Sequence, residues 1–198
     1  MVTKKIAVLF SGSGTNLENL FIKLHRKVFN GVKIEIALSI CNNEDAGGIS
    51  KSLKYGVTPV VLKHKDFASR GDFDKKLVEV IKKADIDLCV LAGFMRILTP
   101  YFTKNVRAIN IHPSLLPLFK GADAMHQSYA ANVKKAGASV HFVNEELDGG
   151  EVIAQKSFMR TIDMSYEEYE ANIHEIEYEI LPNAVIGLLT NSNFVSKS

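Results

Sequence analysis

Short apolar runs alternate with helical periodicity along the first half of this chain, and that alternation restricts the fold more than any single motif. Ile6-Ala7-Val8-Leu9-Phe10 is an unbroken apolar run of strand length, whereas Leu17, Leu20, Phe21 and Leu24 recur at i, i+3, i+4 and i+7. The pattern then predicts a strand over 32–40, a short helix near 46–54, a strand over 58–62, a helix carrying Phe73, Leu77, Val80, Ile81 and Ala84, and a strand over 88–92. Strands separated by helices pair in parallel, so the chain is expected to be an α/β protein with a mostly parallel central sheet and helices on both faces. In such sheets ligands bind beyond the carboxyl ends of the strands. The second half reads as strands over 107–112, 138–143 and 152–158, an antiparallel C-terminal part. A final helix opens with Ser165-x-x-Glu168, a capping-box pattern, and Pro182 is expected to kink or divide it.

At 198 residues, 46% of them apolar, the chain is expected to form one domain, 1–198, with one sizeable core. The formal charge is only +2, which argues against a nucleic-acid-coating surface, but it is unevenly placed. Residues 1–85 hold 15 basic and 9 acidic side chains and residues 86–198 hold 9 and 13, so an anionic ligand near the first half is plausible. Cys41 and Cys89 stand alone in apolar runs, with neither a disulfide framework nor a CxxC pair between them, as expected in a reducing cytoplasm. The first apolar run is too short for a signal-peptide core and far below the roughly 18 residues that span a bilayer. No membrane association is expected.

Between the first strand and the first helix lies Ser11-Gly12-Ser13-Gly14-Thr15-Asn16. Backbone N–H groups and the positive end of a helix dipole at such a turn favour a phosphate. The plainer reading is a tight turn followed by a Thr15-x-x-Glu18 cap. A dinucleotide fingerprint would need glycine at position 17, where Leu17 stands, and an acidic residue where the next strand ends in Cys41-Asn42-Asn43. A Walker loop and a hydrolase elbow are also excluded by spacing. A phosphate monoester fits best.

Asn110-Ile111-His112-Pro113 ends a strand-like run, and period-two geometry puts Asn110 and His112 on one face. The residue before proline stays extended, so His112 reaches the ligand edge of the sheet with Asn110 beside it. Leu147-Asp148-Gly149-Gly150 reads as an ordinary hairpin turn, but an aspartate there can also orient a histidine on a neighbouring strand end and favour its charged form. His141 alternates with Val140 and Phe142 and reads as structural support rather than a catalytic group.

Four ordered motifs together resemble the folate-dependent phosphoribosylglycinamide formyltransferases, also called glycinamide ribonucleotide transformylases. They are Ser11 to Leu17, Leu91-Ala92-Gly93-Phe94-Met95-Arg96-Ile97-Leu98, Asn110 to Pro117, and Ser139 to Val143 followed by Glu146-Leu147-Asp148-Gly149-Gly150. The resemblance spans nearly the whole chain and implies a Rossmann-like formyltransferase fold, with a nucleotide-phosphate half at about 1–100 and a folate and catalytic half at about 101–198. It implies formyl transfer from 10-formyltetrahydrofolate to the amine of glycinamide ribonucleotide in purine synthesis, with Asn110, His112 and Asp148 catalytic. Gly14, Thr15 and Asn16 would hold the phosphate and Glu177 the ribose end. Folate would meet Arg70, Met95, Arg96, Ile97, Leu98, Asn110, Asn144, Glu145, Glu146, Leu147 and Asp148. Departures occur at Ala122-Asp123-Ala124-Met125-His126, at Asn144 where threonine is familiar, and at His174 where glutamine is common.

Methionyl-tRNA formyltransferase and formyltetrahydrofolate deformylase share this machinery, but each is expected to carry an added domain for which 198 residues leave no room. A non-catalytic nucleotide-binding module is the alternative of a different class. The six histidines form no His-x-x-x-His pair and no metal is expected. The partners expected are the two small-molecule substrates, with no nucleic acid or membrane, and a monomer or homodimer.

Overall fold

The computed structural model describes residues 1–190, which form two compact units, 1–109 and 110–190. In the first unit, β1 (Val2–Phe10) pairs in parallel with β3 (Val32–Cys41) on one side and with β5 (Leu88–Leu91) on the other. A short β4 (Val60–Val61) extends β3 in parallel, and β2 (Lys27–Phe29) pairs antiparallel with β3. Ile6 to Phe10 are all fully buried, as an unbroken apolar run must be when both faces of its sheet are covered. The helix α1 (Thr15–Leu24) buries the stripe its periodicity marks, Leu17, Leu20, Phe21 and Leu24, and α3 (Arg70–Lys83) buries Phe73, Leu77 and Ile81 of its expected stripe together with Val78, while Val80 and Ala84 are only half-buried. Between them lies α2 (Gly48–Lys54), and α4 (Pro100–Asn105) follows β5 with proline in its first turn.

The register brings Phe10 opposite Cys41 and Leu9 opposite Leu91, so β1, β3 and β5 end together. The segments that follow them start from one edge, at Ser11, Asn42 and Ala92. Helix α3 clamps the last of these segments at its far end. Its Asp74, 1% exposed, accepts from both the N–H and the hydroxyl of Thr99, each at 2.6 Å.

Strand β6 (Ala108–His112) begins in the first unit and carries Asn110 and His112 into the second. There β7 (Lys135–Phe142) pairs antiparallel with β8 (Val152–Met159), and α5 (Ala124–Ala130) and α6 (Tyr166–Thr190) complete the unit. Ala136, Tyr169 and Ile173 are buried together against Met125, Tyr129, Val133, Phe158 and Met164. The expected capping box at the start of α6 is formed: Ser165 N–H donates to Glu168 Oε2, and Glu168 N–H donates to Ser165 Oγ. Pro182 does not divide α6, which continues through it to Thr190. The expected α/β class, mostly parallel with an antiparallel C-terminal part, is the class observed.

Candidate active site

In the first unit the chain leaves β1 at Phe10 and enters α1 at Thr15 through a left-handed N-cap, Gly14, with φ of 71°. A Cβ on Gly14 would lie 2.5 Å from Gly48 Cα, and one on Gly48 would lie 2.5 Å from the Phe10 ring. Gly48 N–H also bonds to Gly12 O at 3.1 Å, so the loop and the start of α2 are in backbone contact. The expected Thr15-x-x-Glu18 cap is not formed. Gly14 offers no side chain to the first turn of α1, and Glu18 is drawn away by Lys51 at 3.1 Å and Lys54 at 3.3 Å. Hydrogen bonds from these two lysines hold the Glu18 carboxyl below its usual range and offset its charge beside the loop. The first turn of a helix carries N–H groups that the helix itself cannot satisfy, so this loop is suited to an anion.

Of the residues expected to meet folate, Arg70 opens α3 and is exposed, and Met95 to Leu98 form one stretch after β5. Met95 is 73% exposed and Ile97 55%, while Arg96 is half-buried with its guanidinium 5.6 Å from the Phe73 ring centre.

In the second unit Asn110, His112 and Asp148 meet. Asp148 is 8% exposed, and its φ of 49° lies in the left-handed region that aspartate tolerates better than most residues. Its Oδ2 accepts from Gly121 N–H at 2.8 Å and faces His112 Nδ1 at 3.4 Å. Its Oδ1 accepts from Asn110 Nδ2 at 3.3 Å and faces His141 Nε2 at 3.3 Å. Burial opposes ionisation of this carboxyl, but hydrogen bonds from His141 and the Gly121 amide, with the charges of His112 and His141, outweigh it and hold Asp148 below the usual carboxylate range. His112 Nε2–H donates to Phe119 O at 2.8 Å. Both ring nitrogens of His112 therefore face oxygen acceptors, an arrangement that a charged imidazolium satisfies in full.

The residue missed by sequence reasoning is His141. It is 2% exposed, its Nδ1–H donates to Phe142 O at 2.8 Å, and its Nε2 lies 3.2 Å from Asn110 Nδ2 as well as facing Asp148. A register shift between Val140 and His141 re-aims this side chain, as bulges beside functional sites commonly do. Strand alternation alone carries no signal for it. The loop between β7 and β8 is also longer than a hairpin turn: Asp148 lies within residues 143–151, where Asn144 Oδ1 accepts from Glu146 N–H and Glu146 pairs with Lys120. Asn144, Glu145, Glu146 and Leu147 are exposed on this loop.

Glu177 is 4% exposed on α6 and accepts from His174 Nδ1–H at 2.9 Å, a bond that raises the His174 pKa. Asp123 and His126, which the sequence left without a role, are exposed and in contact, Asp123 Oδ1 lying 2.7 Å from His126 Nδ1, with the His126 ring stacked on Tyr166. Among the described residues no group of histidine, cysteine, aspartate and glutamate could hold a metal ion, and no helix is long and apolar enough to cross a membrane.

The first unit thus carries a glycine turn suited to an anion, and the second a buried cluster of amide, imidazole and carboxylate. The chain belongs to the formyl transferase family, whose pattern it matches over residues 4–185. It is 38% identical to phosphoribosylglycinamide formyltransferase of Haemophilus influenzae over 90% of this chain and 84% of that protein. The crystal structure of phosphoribosylglycinamide formyltransferase from Campylobacter jejuni superposes with a TM-score of 0.92 at 53% identity, covering 94% of this chain and 98% of that one. The chain is also 36% identical, over 98% of its length, to the trifunctional purine biosynthetic protein adenosine-3 of Drosophila melanogaster, of which it spans only 14%.

Proposed function

We propose that this chain transfers the formyl group of 10-formyltetrahydrofolate to the amine of glycinamide ribonucleotide, in the cytoplasm and without a metal. The observation that carries the reading is the Asp148 carboxylate, held in the ionised form between His112 on one oxygen and Asn110 with His141 on the other. The substrate amine attacks the formyl carbon, the carbonyl becomes a tetrahedral oxyanion, and as the oxyanion collapses the carbon–N10 bond breaks, the proton lost by the attacking amine passing to N10 as tetrahydrofolate leaves. Asn110 is the donor to the oxyanion. Its Nδ2 faces the Asp148 carboxylate at 3.3 Å and His141 Nε2 at 3.2 Å, both long contacts, and a developing oxyanion draws an N–H from them more strongly than a ground-state carbonyl does. His112 supplies positive charge beside the oxyanion, held by Asp148 and Phe119 O. The phosphate of the ribonucleotide sits at Gly14, Thr15 and Asn16, the ribose end at Glu177, and folate along Arg70, Met95 to Leu98 and Asn144 to Asp148.

The decisive assay follows loss of formyl from 10-formyltetrahydrofolate with glycinamide ribonucleotide present and absent. Loss is expected only with the ribonucleotide, accompanied by its formylated product. Equal loss in water alone would make the protein a deformylase and overturn the proposal.

Asp148→Asn is expected to lower turnover by at least about 10²-fold, the lower end for a proton-handling or charge-orienting group. It also has a stability signature. Because the folded carboxyl is held below its usual value, its stabilisation is present above the unfolded value of ~3.9 and is lost as pH falls through the lower folded value. Urea midpoints should therefore separate the variant from the wild type at pH 7 and converge only as pH falls through the lowered folded value. A gap that stays constant across that range would remove the ionised carboxylate from the account.

A further inference from the structure

Three strand ends meet through one hydroxyl. Ser11 is the first residue of the glycine turn, and its Oγ–H donates to Asn42 Oδ1 at 2.6 Å while the same oxygen accepts from Met95 N–H at 2.8 Å. Ser11 N–H also donates to Gly93 O at 3.0 Å. The parallel register explains the meeting: with β1 between β3 and β5, the residues just past Phe10, Cys41 and Leu91 begin at the same edge. A hydroxyl can donate once and still accept, so serine satisfies both neighbours at once, and alanine satisfies neither.

We propose that Ser11 is a positioning residue that couples the two ligand segments, so that filling the phosphate turn at 11–16 tightens the folate segment at 95–98, and the reverse. The inference rests on the formyl-transfer reading of the two segments. Its mechanical basis is the asymmetry of the second segment. The far end is clamped by Asp74, which binds both polar groups of Thr99, and the near end hangs from Ser11 through the Met95 amide. Any settling of the turn around a phosphate moves the acceptor of that amide, and the clamped end confines the response to Met95, Arg96 and Ile97. Coupling of this kind is reciprocal, each ligand changing the affinity of the other by the same factor.

The test uses tetrahydrofolate, which has no formyl group to transfer, titrated calorimetrically into the protein with and without saturating glycinamide ribonucleotide. In the wild type the ribonucleotide is expected to tighten tetrahydrofolate by about fivefold, the scale of one hydrogen bond. Ser11→Ala should bring that ratio toward one, and Ser11→Thr, which keeps a hydroxyl, should retain it. Asn42→Ala removes the acceptor while leaving Ser11 in place, and a loss of the ratio there supports the same conclusion should Ser11→Ala fold poorly. A wild-type ratio of one overturns the proposal. So does a full ratio in Ser11→Ala and Asn42→Ala, which would assign the coupling to the backbone bond between Ser11 and Gly93. Failure of both ligands to bind the wild type is a different result: it overturns the functional reading itself.

Discussion

Asn110→Ala is expected to lower turnover by about 10²–10³-fold, the usual consequence of losing one donor to a developing oxyanion. His112→Ala should fall in the same range. Neither side chain belongs to the apolar core, and β6 is held by its backbone and by buried Ala108, Ile109 and Ile111, so both variants should fold. The two substitutions should not be additive. Both act on the same carboxylate, one at Oδ1 and one at Oδ2, and groups that work as a unit lose most of their effect when the first is removed. The double variant is therefore expected to be little worse than either single one. The measurement is single-turnover formyl transfer beside a thermal melt of each variant. Near-wild-type turnover in a folded Asn110→Ala would take the amide out of the reaction.

Gly14→Val should weaken glycinamide ribonucleotide binding by at least about 100-fold, more than tetrahydrofolate binding. Two costs combine. A β-branched residue at φ of 71° is strained by about 1–3 kcal/mol, and its Cβ would stand 2.5 Å from Gly48 Cα, a backbone atom with no side-chain freedom to yield. The turn must open away from α2, which moves the first N–H groups of α1 from their positions. Calorimetry with each ligand separates the outcomes. Equal loss for both ligands would mean that the first unit as a whole has been disturbed and that the turn has no particular claim on the phosphate.

The parts of the fold legible in the sequence are those where one local rule decides. The buried run Ile6 to Phe10, the stripes of α1 and α3, and the reciprocal cap of Ser165 and Glu168 are of this kind. So is the common face of Asn110 and His112, both of which meet Asp148. What escaped is either short or dependent on distant partners. Lys27–Phe29 is too short and too exposed to read as a strand by period, although the local Asn30-Gly31 turn, both residues at positive φ, folds it back onto β3. The expected strand over 58–62 shrinks to Val60–Val61, since it pairs with β3 only through Ile40 and Cys41. Helices α4 and α5, of six and seven residues, are too short to show a period. His141 entered the site through a register shift, and Phe119 and Gly121 entered it through backbone groups, which no side-chain pattern records.

The Asp148-Gly149 junction carries one more consequence, for chemical ageing. Aspartyl-glycine bonds are the ones at which the following amide nitrogen most readily attacks the side-chain carboxyl, closing a succinimide that reopens to isoaspartate. That attack needs a carboxyl free to rotate and a nitrogen free to approach it. Here both carboxyl oxygens are tethered, by Gly121 and Asn110, and Gly149 N–H is committed to Glu146 O at 3.1 Å. The bonds that orient the carboxylate thus also restrain this labile dipeptide from isomerising, and the working life of the protein is tied to the integrity of its own hydrogen-bond network.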